Sequence, residues 1–64
     1  MRPDQYPEHL RELVLGDRYG SWTNSDRSAQ VAASPHMWRL TINGAAHSTD
    51  MVEDVINALQ PIRA

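Results

Sequence analysis

Apolar and polar residues alternate over residues 37–43, and this alternation predicts a β-strand. Successive strand side chains point to opposite faces, so the strand has one apolar face and one mixed face. Asn43-Gly44 then breaks the pattern, because both residues favour turns. The apolar face consists of Trp38, Leu40 and Ile42, and the opposite face consists of Met37, Arg39, Thr41 and Asn43.

From residue 48 to residue 60 the apolar spacing becomes helical, with acidic residues opposite the apolar stripe. A turn over residues 43–47 leads into this second helix, and Ser48, Thr49 or Asp50 can serve as its N-cap. Asp50 with Glu53 predicts a capping box, and Pro61 ends the helix. The apolar stripe contains Met51, Val52, Val55, Ile56 and Leu59.

The N-terminal third predicts another helix, over residues 7–15, after a loose lead-in over residues 1–5. Pro7 suits a first helical turn, and Gly16 is placed to end the helix. Leu10, Leu13 and Val14 form its apolar stripe, which Tyr6 extends. Residues 17–35 are harder to interpret. Short strands near 19–23 and 28–33 fit a hairpin, but the alanines are weak strand formers, so an irregular segment stays open.

Taken in order, these elements predict a single α+β domain over residues 1–64 with the arrangement α-β-β-β-α. We expect a three-stranded antiparallel sheet with both helices on one face. The predicted core consists of Trp38, Leu40, Ile42, Leu10, Leu13, Val52, Val55, Ile56 and Leu59.

The amino-acid composition excludes several kinds of functional site. The chain has 64 residues, a formal net charge of −2, no cysteine, and arginine as its only strongly basic residue type. Disulfides, thiolate metal sites and lysine Schiff bases are therefore excluded. No run approaches the roughly 18 apolar residues of a membrane span, and the first residues do not form a signal segment. We expect a soluble, cytoplasmic protein that has no contact with a membrane.

Histidines are the residues that would first suggest a metal site or a general base. An extended strand would hold His36 and His47 more than about 20 Å apart, so they could not share a metal within one chain. His9 lies on the first helix beside the apolar stripe. No serine stands in a nucleophile motif. We therefore expect no catalytic, metal-binding or cofactor-binding residues, and no enzyme.

One likeness involves the C-terminal third. Arg39-Leu40-Thr41-Ile42, then Ala45-Ala46-His47-Ser48 and the following helix, resembles the strand and helix that end the α-oxoamine synthases. Those enzymes hold pyridoxal phosphate through a lysine. This chain has no lysine, so the resemblance implies no cofactor here.

A second likeness involves the element order. The arrangement α-β-β-β-α is similar to that of double-stranded-RNA-binding domains and of the HicA-type RNase toxins, which implies RNA binding or cleavage as the alternative function. Gly20-Ser21 is followed by Trp22, where the toxin pattern has a histidine. The second helix presents acidic residues, which repel phosphate.

The leading hypothesis is a small non-enzymatic module that docks onto a protein partner, as regulators, antitoxins and phage-type inhibitors of host machinery do. A three-stranded sheet with one covered face leaves its other face and two edges free, and either can also support self-association. Two surfaces are candidates for partner binding. The outer sheet face supplies Met37, Arg39 and Thr41 with Tyr19, and the acidic stripe of the second helix supplies Asp50, Glu53 and Asp54.

Overall fold

The computed structural model describes residues 1–63, so the predicted domain boundary at Ala64 lies outside the described part. A short 3-10 turn, Pro3–Gln5, precedes the first helix. The remaining elements are α1 (Glu8–Leu15), β1 (Gly20–Thr23), β2 (Ala29–Ser34), β3 (Met37–Ile42), β4 (Ala45–Thr49) and α2 (Val52–Leu59). The four strands form one antiparallel sheet in the order β1-β2-β3-β4.

The prediction of three strands is wrong, because residues 45–49 form a fourth. Asn43 and Gly44 both have positive φ angles, 51° and 86°. These angles match the two-residue hairpin turn whose twist fits antiparallel strands, and Asn-Gly is its favoured sequence. β4 therefore pairs with β3 along its whole length, from Ile42 opposite Ala45 to Trp38 opposite Thr49. Alanine, serine and histidine are weak strand formers, so strand propensity alone does not predict β4.

Both helices cover the same face of the sheet, as predicted, and the residues of that face alternate with exposed ones. On β2 the buried residues are Ala29, Val31 and Ala33, and the intervening Gln30 is exposed. Val31 lies opposite Leu40 on β3, and both are almost fully buried. The core consists of Tyr6, Leu10, Leu13, Val14, Trp22, Ala29, Val31, Ala33, Leu40, Val55, Leu59 and Ile62.

Four residues of the predicted core are less buried than expected. Trp38, Ile42 and Ile56 are only partly buried and pack against the rim of the core. Val52 is 41% exposed. It is the first residue of α2, so its side chain lies at the end of the sheet rather than over it. The buried aromatic residues are instead Tyr6, which precedes α1, and Trp22 on the inner face of the edge strand β1.

The helix ends differ in detail from the predictions. α1 follows Pro7 and ends at Gly16, but the residue with positive φ is Asp17. Met51 occupies the N-cap position of α2 and makes no side-chain cap, so the predicted capping box does not form. Thr49 organises this helix start instead. Its hydroxyl accepts a hydrogen bond from the Met51 N–H at 3.1 Å and donates one to the Asp54 carboxylate at 2.7 Å.

A buried asparagine fixes the turn between β1 and β2. Asn24 is 5% exposed, and its amide donates to the Ser28 hydroxyl and to the Arg63 carbonyl. Its side-chain oxygen accepts from the Ala29 N–H at 2.9 Å. The turn is thereby tied to the end of the described chain. Met1 closes the same side of the molecule, because its amino group donates to the carbonyls of Leu59 and Gln60.

Candidate docking surfaces

The outer face of the sheet carries no covering element among residues 1–63. Because the helices lie on the other side, alternate residues of all four strands form an open surface, here called the outer face. A shallow depression of about 520 Å³ runs across it. The outer face consists of Ser21, Thr23, Gln30, Ala32, Ser34, Met37, Arg39, Thr41, Ala46 and Ser48.

Small polar side chains dominate this surface, and none of its residues is acidic. Arg39 lies near the centre, opposite Ala32 on one neighbouring strand and Ser48 on the other. Within the described part of the chain, no hydrogen bond or ion pair involves its guanidinium. Thr41, another predicted site residue, lies two residues further along the same strand and is partly buried.

The large apolar side chains left exposed lie at one end of the molecule, which the sequence did not predict. In an antiparallel meander, β1 and β3 begin at the end of the sheet where β2 and β4 finish. α1 finishes at this end and α2 begins there. The apolar end, as we call it, comprises Leu15 (52% exposed), Tyr19 (63%), Met37 (45%), Met51 (53%) and Val52 (41%).

A groove of about 290 Å³ opens at this end, between the end of α1, the turn from β2 to β3 and the start of α2. Tyr19, Trp38 and Val52 contribute apolar surface to its lining, and Leu13 lies deeper. Its polar lining includes Asp17, Arg18, Ser34 and Asp50. Apolar and polar groups therefore share the lining of this groove, and protein-binding patches combine both.

The three carboxylates of the acidic stripe are all exposed near the start of α2, but their contacts differ. The Asp54 carboxylate accepts a hydrogen bond from the Thr49 hydroxyl, and that hydroxyl accepts one from the Met51 N–H at the start of α2. Asp50 lies beside the groove of the apolar end. Glu53 is exposed on the first turn of α2. The three carboxylates predicted to act together therefore have three different surroundings.

The histidines are dispersed, but the predicted separation of more than about 20 Å between His36 and His47 is wrong. β4 folds back along β3 and places His47 opposite Leu40. His36 is thus separated from that position by four residues, roughly 13 Å of strand. His9 contacts the Ser21 carbonyl at 2.8 Å. Among residues 1–63, no three His, Asp or Glu side chains are arranged to hold a metal ion.

Two side chains have shifted pKa values, and both lie away from these surfaces. The Ser28 hydroxyl and N–H donate to the Asp26 carboxylate, and these bonds lower its pKa below the ordinary 3.8. Burial raises the pKa of Tyr6, whose hydroxyl has no hydrogen-bond partner. Hydrogen bonds to the charged form and desolvation of the charged form have these opposite effects on acids.

Comparison with family models, curated proteins and solved structures finds no match to the chain. No helix in the described part of the chain is long and apolar enough to cross a bilayer.

Proposed function

We propose that this protein is a small non-enzymatic module that docks onto a partner protein through its apolar end. The observation that carries the proposal is the position of the exposed large apolar side chains, which gather at one end. Single exposed apolar residues are ordinary on a protein surface, whereas several at one end offer apolar area to a partner. Tyrosine and methionine are also enriched at such sites.

The outer face extends this surface. Met37 belongs to both regions, because it begins β3 at the apolar end and points to the outer face. From there the partner would reach Arg39 and Thr41 along the same strand. Arginine is a frequent anchor of protein interfaces. Within the described residues, Arg39 would lose no hydrogen bond or ion pair on binding a partner. Met37, Tyr19 and Arg39 are therefore the residues expected to contribute most to binding.

Protein is a better partner than RNA for this surface. Proteins that bind nucleic acid neutralise several phosphates with clustered basic residues. The outer face has one arginine, and the four-stranded order differs from the three-stranded order on which the RNA alternative rested. RNA binding stays as the competing outcome of the test. The apolar end and outer face also lack an acid–base pair suited to catalysis in their described lining, which supports binding without chemistry.

Within this proposal, the protein acts in the cytoplasm and needs neither a cofactor nor a metal ion. It would act by occupying a partner's surface, which is how a regulator, an antitoxin or a phage-type inhibitor of host machinery works.

The test compares substitutions at three surfaces. Tyr19→Glu with Val52→Glu charges the apolar end, Arg39→Glu reverses the outer-face charge, and Glu53→Lys reverses a charge on α2. All four positions are exposed, so folding should survive, and circular dichroism checks this. The readout is retention of protein partners from cells of the native host, with and without nuclease. Asp54 is avoided because it bonds to Thr49.

We expect the apolar-end pair to abolish retention of the partner that wild type retains. Arg39→Glu should weaken retention, and Glu53→Lys should leave it unchanged. Retention that survives the apolar-end pair but is lost with Glu53→Lys would contradict the proposal. Retention that nuclease removes and that falls steeply as salt rises would instead favour RNA.

A further inference from the structure

The outer edge of β4 is a second surface that can bind another chain, separate from the apolar end. A strand at the edge of a sheet has backbone N–H and C=O groups that pair with no neighbour, and these can accept another strand. The sheet has two such edges, β1 and β4. Neither strand contains Pro, Lys, Arg, Asp or Glu, but the β1 edge is shorter and a side chain occupies one of its backbone acceptors.

The β1 edge is short and partly occupied. It has four residues, and its first, Gly20, has a φ of 145°. The His9 ring lies 2.8 Å from the Ser21 carbonyl, and because a carbonyl only accepts, Nε2 donates the proton. In the β1–β2 pairing, Asn24 N–H bonds to the Ala29 carbonyl. In an antiparallel pair, alternate residues direct their backbone groups to the neighbouring strand and the others direct theirs away from it. Since Asn24 bonds to β2, the Ser21 carbonyl points away from the sheet, and the hydrogen bond from His9 occupies it.

The β4 edge has none of the usual protective features. Its five residues contain no proline, lysine, arginine, aspartate or glutamate, and four of the five are exposed. Edge strands are normally protected by such residues, by bulges or by covering elements. The backbone groups that point outward can be identified. Asn43 N–H bonds to the Ser28 carbonyl, which fixes the alternation along β3. The backbone groups of Met37, Arg39 and Thr41 therefore bond to β2, and those of the residues between them bond to β4.

This alternation assigns each residue of β4. Ala45, His47 and Thr49 direct their backbone groups to β3, opposite Ile42, Leu40 and Trp38. Ala46 and Ser48 direct theirs outward. A second copy of the strand, run antiparallel with His47 opposite His47, would place Ala46 opposite Ser48 at both ends. Each of those pairs can exchange two backbone hydrogen bonds, and the full five residues overlap.

We propose that the protein forms a two-fold dimer in which β4 pairs with β4 of a second copy, centred on His47. The strand contains no Lys, Arg, Asp or Glu, so no pair of like formal charges from those residues opposes the pairing of two copies. The two sheets become one eight-stranded sheet, and all helices stay on one side. The assembly closes at two copies because the remaining β1 edges are partly occupied. Antiparallel pairing sends the two apolar ends in opposite directions.

The interface is smaller than the roughly 800 Å² per partner of a standard stable complex, so the dimer should be weak, with a Kd on the order of 100 µM. Sedimentation equilibrium over a concentration series measures it. Ser48→Pro removes an outward N–H and adds bulk at the edge, and it should abolish the dimer. Thr23→Pro removes an outward N–H from the β1 edge, and it should leave the dimer intact. Circular dichroism checks that both variants fold.

Cysteine crosslinking tests the register without relying on the proline variants, because the chain has no cysteine of its own. Residues opposite each other in a non-hydrogen-bonded pair have Cα atoms about 4.5 Å apart, within disulfide reach. His47→Cys should therefore form a disulfide-linked dimer at least about tenfold faster than Ala45→Cys, which would lie opposite Thr49, or than Asn57→Cys on α2.

A monomer at every concentration, or equal crosslinking rates at the three positions, would overturn the proposal. So would a dimer that survives Ser48→Pro in a folded protein. The dimer does not depend on the docking function. Partner retention by a monomeric Ser48→Pro variant would leave the docking proposal standing, and loss of retention in the Tyr19→Glu/Val52→Glu variant leaves the dimer standing.

Discussion

Replacing Leu40 with alanine tests the assignment of the two sheet faces. Leu40 is 1% exposed and lies at the centre of β3, between Val31 on β2 and His47 on β4. α2 packs against the same strand, so the side chain has neighbours on every side. Removing it eliminates buried apolar contacts and leaves a cavity, which together cost about 3 kcal/mol. The domain as a whole should have on the order of 3–10 kcal/mol of stability.

The expected loss in the free energy of unfolding is therefore a large fraction of the total stability. At about 4–8 °C per kcal/mol for a domain of this size, the melting temperature should fall by about 12–24 °C. Urea unfolding followed by tryptophan fluorescence is the assay, since Trp22 is buried and Trp38 is partly buried. Arg39→Ala, the next residue on the opposite face, is the matched control and should cost under about 1 kcal/mol. Equal losses at both positions would refute the face assignment.

Three further predictions concern the polar groups of the core and the first hairpin. Asn24→Ala should cost about 2–3 kcal/mol in urea unfolding, because three side-chain hydrogen bonds disappear at about 1 kcal/mol each, whereas exposed Asn57→Ala should be near neutral. A similar loss at both positions would contradict the role of Asn24. Tyr6→Phe should raise stability by about 1 kcal/mol, because it removes a buried hydroxyl without a partner; a clear loss would show that the hydroxyl has one. The pKa of Asp26 is lowered by folding, so its contribution is present above the ordinary 3.8 and disappears as pH falls through the lower folded value. Asp26→Asn should therefore flatten that part of the pH profile of the melting temperature, and an unchanged profile would contradict this.

The sequence predicted most of the fold because its strongest patterns are local. The alternation over residues 37–43 and the helical spacing after residue 51 each imply one buried face, and β3 and α2 show the expected periods. β4 was missed because its residues have little strand propensity, although Asn43-Gly44 is itself a strong hairpin signal. Val52 was misassigned because periodicity does not show where a helix begins relative to the sheet.

The candidate site could be predicted only in part. Met37, Arg39 and Tyr19 were identified as exposed residues from alternation and position. The apolar end could not be identified, because Leu15 and Met51 lie far apart in the sequence and share one end of the molecule only through the order of the strands. Asn24 gave no signal at all, since a buried asparagine and a turn asparagine look alike until its partners are known.

Site-specific photo-crosslinking tests the docking proposal most directly. A benzophenone side chain placed at Tyr19 is a close replacement in size and is exposed at the apolar end. The same probe at Asn57, exposed on α2, is the control. After irradiation in cells of the native host, the Tyr19 probe should crosslink one discrete protein that the Asn57 probe does not. Equal crosslinking from both positions, or a discrete product from Asn57 alone, would contradict docking through the apolar end.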